Sequence, residues 1–167
     1  MNSAPYGTWK SPISSDLIVK GAIGLSSPNF HQNEICWIES RPQEGGRSVL
    51  VQQDKEGNVR DITPSSFNIR TRVHEYGGGS SLIHNGVHYF SNFSDQQLYQ
   101  HNLGDPEPTQ LSHSKGLRFA DGCIDPKRNR IIYVLEDHRV SGEPENMIGA
   151  VDLDRGEITI LAEGGDF

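Results

Sequence analysis

The sequence predicts an all-β fold, a partial β-propeller of about three four-stranded antiparallel blades. Helical periodicity is nearly absent. Short runs rich in Ile, Val, Tyr, Phe and Trp alternate instead with Gly, Asp, Asn and Pro. The same order of strands and turns recurs three times, at intervals of about 40–50 residues, the period of a propeller blade. A β-sandwich would not need that order to repeat.

The elements follow in chain order. Residues 1–23 form a lead-in segment, in which "SPISSDLIVKG" (11–21) predicts one short helix, with Pro12 near its first turn and Ser15 or Asp16 as cap. From residue 24 each unit opens with a segment of small residues: "GLSSPNF", "YGGGSSLIHN" and "FADGCID". An aromatic-centred strand follows, "NEICWIES" (33–40), "GVHYFSNF" (86–93) or "NRIIYVLED" (129–137). Next come "RSVLVQQD" (47–54), "QQLYQHNL" (96–103) and "NMIGAVDL" (146–153). The turns "DKEGN", "GDPEP" and "DRGE" then lead to outer strands in "VRDITP", "PTQLSHS" and "EITILAEG". The propeller portion is therefore 24–167, with blades at roughly 24–66, 76–114 and 118–163. Closed propellers use four to eight blades, so three predict either a piece of a longer protein or self-association through open blade edges. Two copies would complete six blades.

The chain has 167 residues and a formal net charge of −7. That sign argues against a nucleic-acid or anionic-membrane partner, either of which would need a basic face. The amino terminus has no basic start followed by an apolar core, and the apolar runs are too short to span a bilayer; a cytoplasmic location is expected. Cys36 and Cys123 fit no metal or redox spacing and are expected as buried free thiols.

"RTRVHEYGGGSS" (70–81) is the stretch that invites chemistry. A phosphate loop would need a Lys-Ser/Thr pair and a following helix, and neither is present. A nucleophile elbow would need G-x-S-x-G, which the chain lacks. His84 and His88 flank a turn rather than share a helix face, and the acidic turns lack a twelve-residue calcium set. No catalytic residue, metal ligand or cofactor is assigned. "GGGSS" fits an innermost strand, where backbones approach closely. "RTRVHE" then lies at the mouth of the channel, and the Arg-x-x-acid spacing of Arg72 and Glu75 recurs in Arg118 and Asp121. Two readings stay open. In one, each arginine pairs with its own acid and braces a blade junction; in the other, Glu75, with Asp121, points into the channel and meets a cationic group.

"YGTWKSPIS" (6–14), "RTRVHEYGGGSS" and "RFADGCIDPKRNRIIYVLEDHR" (118–139) resemble, in order, the amino-terminal propeller of the prolyl oligopeptidase family, nearest its acylaminoacyl-peptidase and dipeptidyl-aminopeptidase-like branch. The resemblance implies a two-domain serine peptidase. Its propeller covers an α/β-hydrolase domain that carries a Ser-Asp-His triad, admits short peptides and can bind their amino end. No triad residue maps onto this chain, which is expected to be inactive alone. The resemblance makes Glu75 the first substrate-binding candidate and Asp121 the second. His74, Arg72 and Arg118 complete the set, the arginines orienting the acids or holding a peptide carbonyl. The rival reading is a non-enzymatic propeller that binds a protein or small ligand; a metal-dependent propeller hydrolase would need convergent carboxylates and histidines.

Overall fold

The computed structural model describes residues 3, 5–8, 10–31 and 33–164. A short helix α1 (Ser15–Val19) precedes twelve strands: β1 (Gly24–His31), β2 (Glu34–Arg41), β3 (Arg47–Gln53), β4 (Val59–Asp61), β5 (Ser81–His84), β6 (Val87–Ser91), β7 (Leu98–Asn102), β8 (Thr109–Gln110), β9 (Leu117–Asp125), β10 (Arg130–Asp137), β11 (Glu145–Asp152) and β12 (Ile158–Glu163). The helix sits where the sequence places it. Its cap is Ser14 rather than the expected Ser15 or Asp16, because the Ser14 hydroxyl accepts the Leu17 N–H at 3.1 Å.

The strands form three four-stranded antiparallel meanders, β1 to β4, β5 to β8 and β9 to β12. This is the predicted architecture of three blades. Asn33, Asn85 and Asn129 take left-handed backbone conformations in the turns joining the first and second strand of each blade. Asparagine tolerates that conformation better than most residues, which explains its recurrence.

Blade-to-blade packing makes the core. Cys36, Ile38 and Leu50 of the first blade meet Phe90 of the second, with Ile69 from the connection between them. Tyr89 and Leu98 of the second blade meet Phe119, Ile131, Tyr133 and Leu135 of the third. Alternation explains how one strand serves both interfaces: successive β6 residues point to opposite faces, so Tyr89 turns to the third blade and Phe90 to the first. Backbone links reinforce the packing. Ile69 donates to Ser48 O at 2.9 Å, Arg70 to Ser91 O at 3.1 Å, and the Ser91 hydroxyl to Phe119 O at 2.9 Å.

The middle blade is covered on both faces; the outer two each keep one face open. Ile35 and Val59 are exposed on the first blade, and Ile148 and Ile160 on the third. Cys36 is buried as expected, and burial raises its thiol pKa. Cys123 is not: it lies exposed on β9, the edge strand of its sheet, beside the bulge where the pairing with β10 shifts register between Ile132 and Val134.

Gly156, in the turn between β11 and β12, has a φ of 67°, and a side chain there would overlap the Leu111 carbonyl oxygen of the second blade. Gly156→Val is therefore expected to destabilise the chain by at least about 2 kcal/mol, through both backbone strain and a pushed-apart blade interface. Urea unfolding of the two proteins measures this. An unchanged midpoint would show that the turn can swing clear.

Candidate functional site

The Arg72–Gly77 segment lies in the connection from the first blade to the second and packs against the third. Its backbone turns back on itself: Glu75 N donates to Arg72 O at 3.0 Å, Tyr76 N to His74 O at 2.7 Å and Gly77 N to Val73 O at 2.9 Å. Closing that turn places His74 (φ 53°) and Glu75 (φ 62°) consecutively in the left-handed region, at a cost of about 1–2 kcal/mol each. Such strain persists only where the surroundings enforce it. Here Val73 is fully buried, and the His74 N–H donates to Glu136 Oε1 at 3.0 Å.

Glu136, near the end of β10, is the organising group, and its side chain is only 7 % exposed. Besides the His74 N–H, its carboxylate meets His138 Nε2 at 2.6 Å and Arg118 Nη1 at 3.2 Å, with His74 Nδ1 at 3.7 Å. Arg118 Nη1 also lies 2.8 Å from both Arg72 O and Glu75 Oε1. A buried carboxylate thus anchors an arginine, which in turn holds the loop by a carbonyl and a surface acid. Sequence reasoning missed Glu136. The available signal was an acid in "YVLED" placed two residues after Val134, hence on the same face of β10.

Neither arginine pairs with the acid of its own motif. Arg72 stacks its guanidinium over Phe93 at 4.3 Å, while its backbone N–H donates to Gln96 Oε1 at 2.8 Å. Arg118 reaches from the third blade to Glu75. The brace at the blade junction exists, but it crosses between motifs. Glu75 remains 79 % exposed, and the Arg118 hydrogen bond and charge hold its carboxyl below the usual carboxylate range.

Asp121 has a different task. It sits in the β9 bulge with a φ of 54°, and its Oδ1 accepts the Gly79 N–H at 2.7 Å while its own N–H donates to Gly79 O at 2.8 Å. A Cβ on Gly78 would stand 2.7 Å from Asp121 Oδ2, and one on Gly79 would stand 2.8 Å from Oδ1. This accounts for the glycines: they admit a carboxylate from the neighbouring blade. They precede β5, which begins only at Ser81, instead of forming the strand themselves.

Beside this loop a cleft of about 620 Å³ opens between His74, Tyr76, Gly77 and Asp121 on one side and the open sheet face at Val134, Met147 and Ile148 on the other. Of the five residues singled out from sequence, His74 and Asp121 line the cleft, whereas Glu75, Arg72 and Arg118 support the loop at its edge.

Comparison with solved structures gives this arrangement a context. A puromycin-hydrolysing peptidase from Mycobacterium tuberculosis is 33 % identical over 100 % of this chain with a TM-score of 0.81, and the match covers 28 % of that peptidase. A puromycin hydrolase is 28 % identical over 98 % of the chain with a TM-score of 0.79, again covering 28 % of the larger protein. The chain matches a propeller part of the prolyl oligopeptidase family. The chain spans less than a third of the length of those peptidases. Likeness to a chain of a nidogen–laminin complex, at 11 % identity and a TM-score of 0.55, reflects the fold alone. No family model and no curated protein matches the chain. No helix among the described residues is long and apolar enough to cross a membrane.

Proposed function

We propose that this chain is the gating and substrate-recognition portion of a cytoplasmic serine peptidase of the acylaminoacyl-peptidase or dipeptidyl-aminopeptidase-like branch. The observation that carries the reading is the match of the whole chain to one part of a puromycin-hydrolysing peptidase. Chemistry would reside in an α/β-hydrolase domain, and the propeller would admit short peptides and read their amino end. A free amine is cationic near neutral pH, and a carboxylate registers it through a charge-assisted hydrogen bond. Between the two candidate acids, position favours Asp121, which lines the cleft. Glu75 already faces Arg118 and acts from the rim.

The deciding experiment is to read the coding sequence beyond residue 167 and assay the full-length product on short peptides. The proposal expects a G-x-S-x-G motif followed by Asp and His, with hydrolysis lost when that serine is replaced. An open reading frame without a hydrolase would sink it and leave the non-enzymatic binding propeller. Partition of the full-length product with the soluble cytoplasmic fraction is the expected location.

The open sheet faces also bear on the isolated 167-residue chain. Its exposed apolar residues on the first and third blades are of the kind monomers rarely leave uncovered. Association is expected, with a dimer of six blades as the closed form. Light scattering measures the mass directly, and a stable monomer across the concentration range would contradict it.

A further inference from the structure

We propose that Arg70, Arg72 and Phe93 form a docking patch for an acidic polypeptide segment, one that presents neighbouring carboxylates to the two guanidinium groups. The inference is independent of the peptidase reading.

The patch follows from the extended chain that enters the 72–77 loop. Ile69, Thr71 and Val73 are buried, so the alternation of an extended backbone turns Arg70 and Arg72 to solvent on one side. Both are fastened to the stretch between β6 and β7: Arg70 N donates to Ser91 O at 3.1 Å and Arg72 N to Gln96 Oε1 at 2.8 Å. The same stretch presents Phe93, whose own N–H donates to Asn68 O at 2.8 Å. The guanidinium carbon of Arg70 stands 5.1 Å from the centre of the Phe93 ring, and that of Arg72 stands 4.3 Å from it. Two cations thus converge on one ring.

What sets this pair apart is the lack of an acid. Every other arginine of the chain meets a carboxylate or, for Arg60, the Gln52 amide oxygen. The guanidinium groups of Arg70 and Arg72 make no hydrogen bond or ion pair among the described residues. The nearest acid along the chain to Phe93, Asp95, is spent inside its own turn. One of its oxygens accepts from Asn92 Nδ2 and the Gln97 N–H, the other from the Tyr99 hydroxyl. A ring face attracts a cation without neutralising it. A carboxylate meets the planar fork of an arginine with two parallel hydrogen bonds, so the pair is built for acids it does not find at home. Hydrogen bonds already hold both arginine backbones and the ring-bearing turn, which lowers the ordering cost of binding. Both arginines are exposed and the ring is half-buried. Arginine beside an aromatic anchor is the composition that concentrates binding energy in protein interfaces, which favours a polypeptide as the occupant.

The test is fluorescence anisotropy of labelled hexaglutamate and hexaglutamine, both capped at each end, titrated with the 167-residue chain. A chain of net charge −7 repels hexaglutamate overall, so its binding requires a local cationic patch. Hexaglutamate should bind about tenfold or more tightly than hexaglutamine, and added salt should weaken it. Arg70→Gln and Arg72→Gln should each weaken it about tenfold. Arg155→Gln, the same charge change at an exposed site on the third blade, should leave it unchanged. Arg70→Lys and Arg72→Lys keep the charge without the planar fork and should fall between. They also decide the matter if loss of the Phe93 contact unfolds a glutamine variant. Equal binding of the two peptides, or equal losses in all three glutamine variants, would overturn the inference. Acetate that displaces hexaglutamate at matched carboxylate concentration would do the same, marking a small-anion site. So would light scattering in which Arg72→Gln abolishes self-association while hexaglutamate fails to bind, marking a contact between copies.

Discussion

Replacing Glu136 with alanine is expected to cost about 1–3 kcal/mol of stability, because it takes away the buried carboxylate that partly buried donors now share. Arg118 would lose its buried partner, His138 its 2.6 Å contact and the His74 N–H its acceptor. Glu136→Gln keeps an acceptor without the charge and should fall between wild type and alanine. Denaturant unfolding gives the magnitude, and amide hydrogen exchange gives the location. Exchange at His74 should accelerate far more than exchange in β2 or β3, because the strained turn at 74–75 would lose the bond that holds it. Glu75→Gln, by contrast, should leave stability almost unchanged, since that carboxylate is solvent-exposed and screened. If Glu136→Ala and Glu75→Gln behaved alike, the hierarchy drawn between the buried anchor and the rim acid would be wrong.

That hierarchy marks where the sequence stops being informative. The three blades were legible because strand alternation and turn residues are local signals, and each meander repeats them. Contacts between blades depend on which residues meet across the turns, and local spacing misleads there. Arg72 and Glu75 are spaced to suggest a pair, as are Arg118 and Asp121. The left-handed backbone at His74 and Glu75 instead swings Glu75 toward Arg118, and the bulge at Asp121 turns its carboxylate onto the glycines. A backbone bulge leaves no reliable trace in residue type, so Asp121 could be named as a candidate but not assigned its partner. Glu136 was invisible for a related reason. An acid at the end of a strand ordinarily faces solvent, and only the packed loop from the preceding blade buries this one.

The same distinction between local pattern and packing governs the response to acid. His88 on β6 is fully buried, stacks on Phe90 at 4.9 Å between ring centroids and has no hydrogen-bond partner for either ring nitrogen among the described residues. Burial is the main reason its pKa falls from 6.5 to about 3, with the nearby His101 adding to the effect. The neutral ring is therefore the folded form, and an unfolded chain takes up a proton at this position that the folded chain refuses. Above the unfolded value the group contributes no pH dependence. As pH falls below 6.5 the unfolded state gains, and stability is lost progressively until about pH 3. At pH 5 the loss from this histidine should be about 2 kcal/mol. Asp61 and Asp137, whose carboxyls are held below their ordinary range by Arg41 and Arg139, respond only at lower pH, so the window from 6.5 to 5 isolates the imidazole from these carboxylates. His88→Leu removes both unpartnered nitrogens and should match or exceed wild-type stability at neutral pH. Its advantage should then widen by about 2 kcal/mol on going to pH 5. Urea denaturation of the two proteins across that interval tests the point, and parallel pH profiles would show that His88 reaches water or a proton-accepting partner in the folded chain.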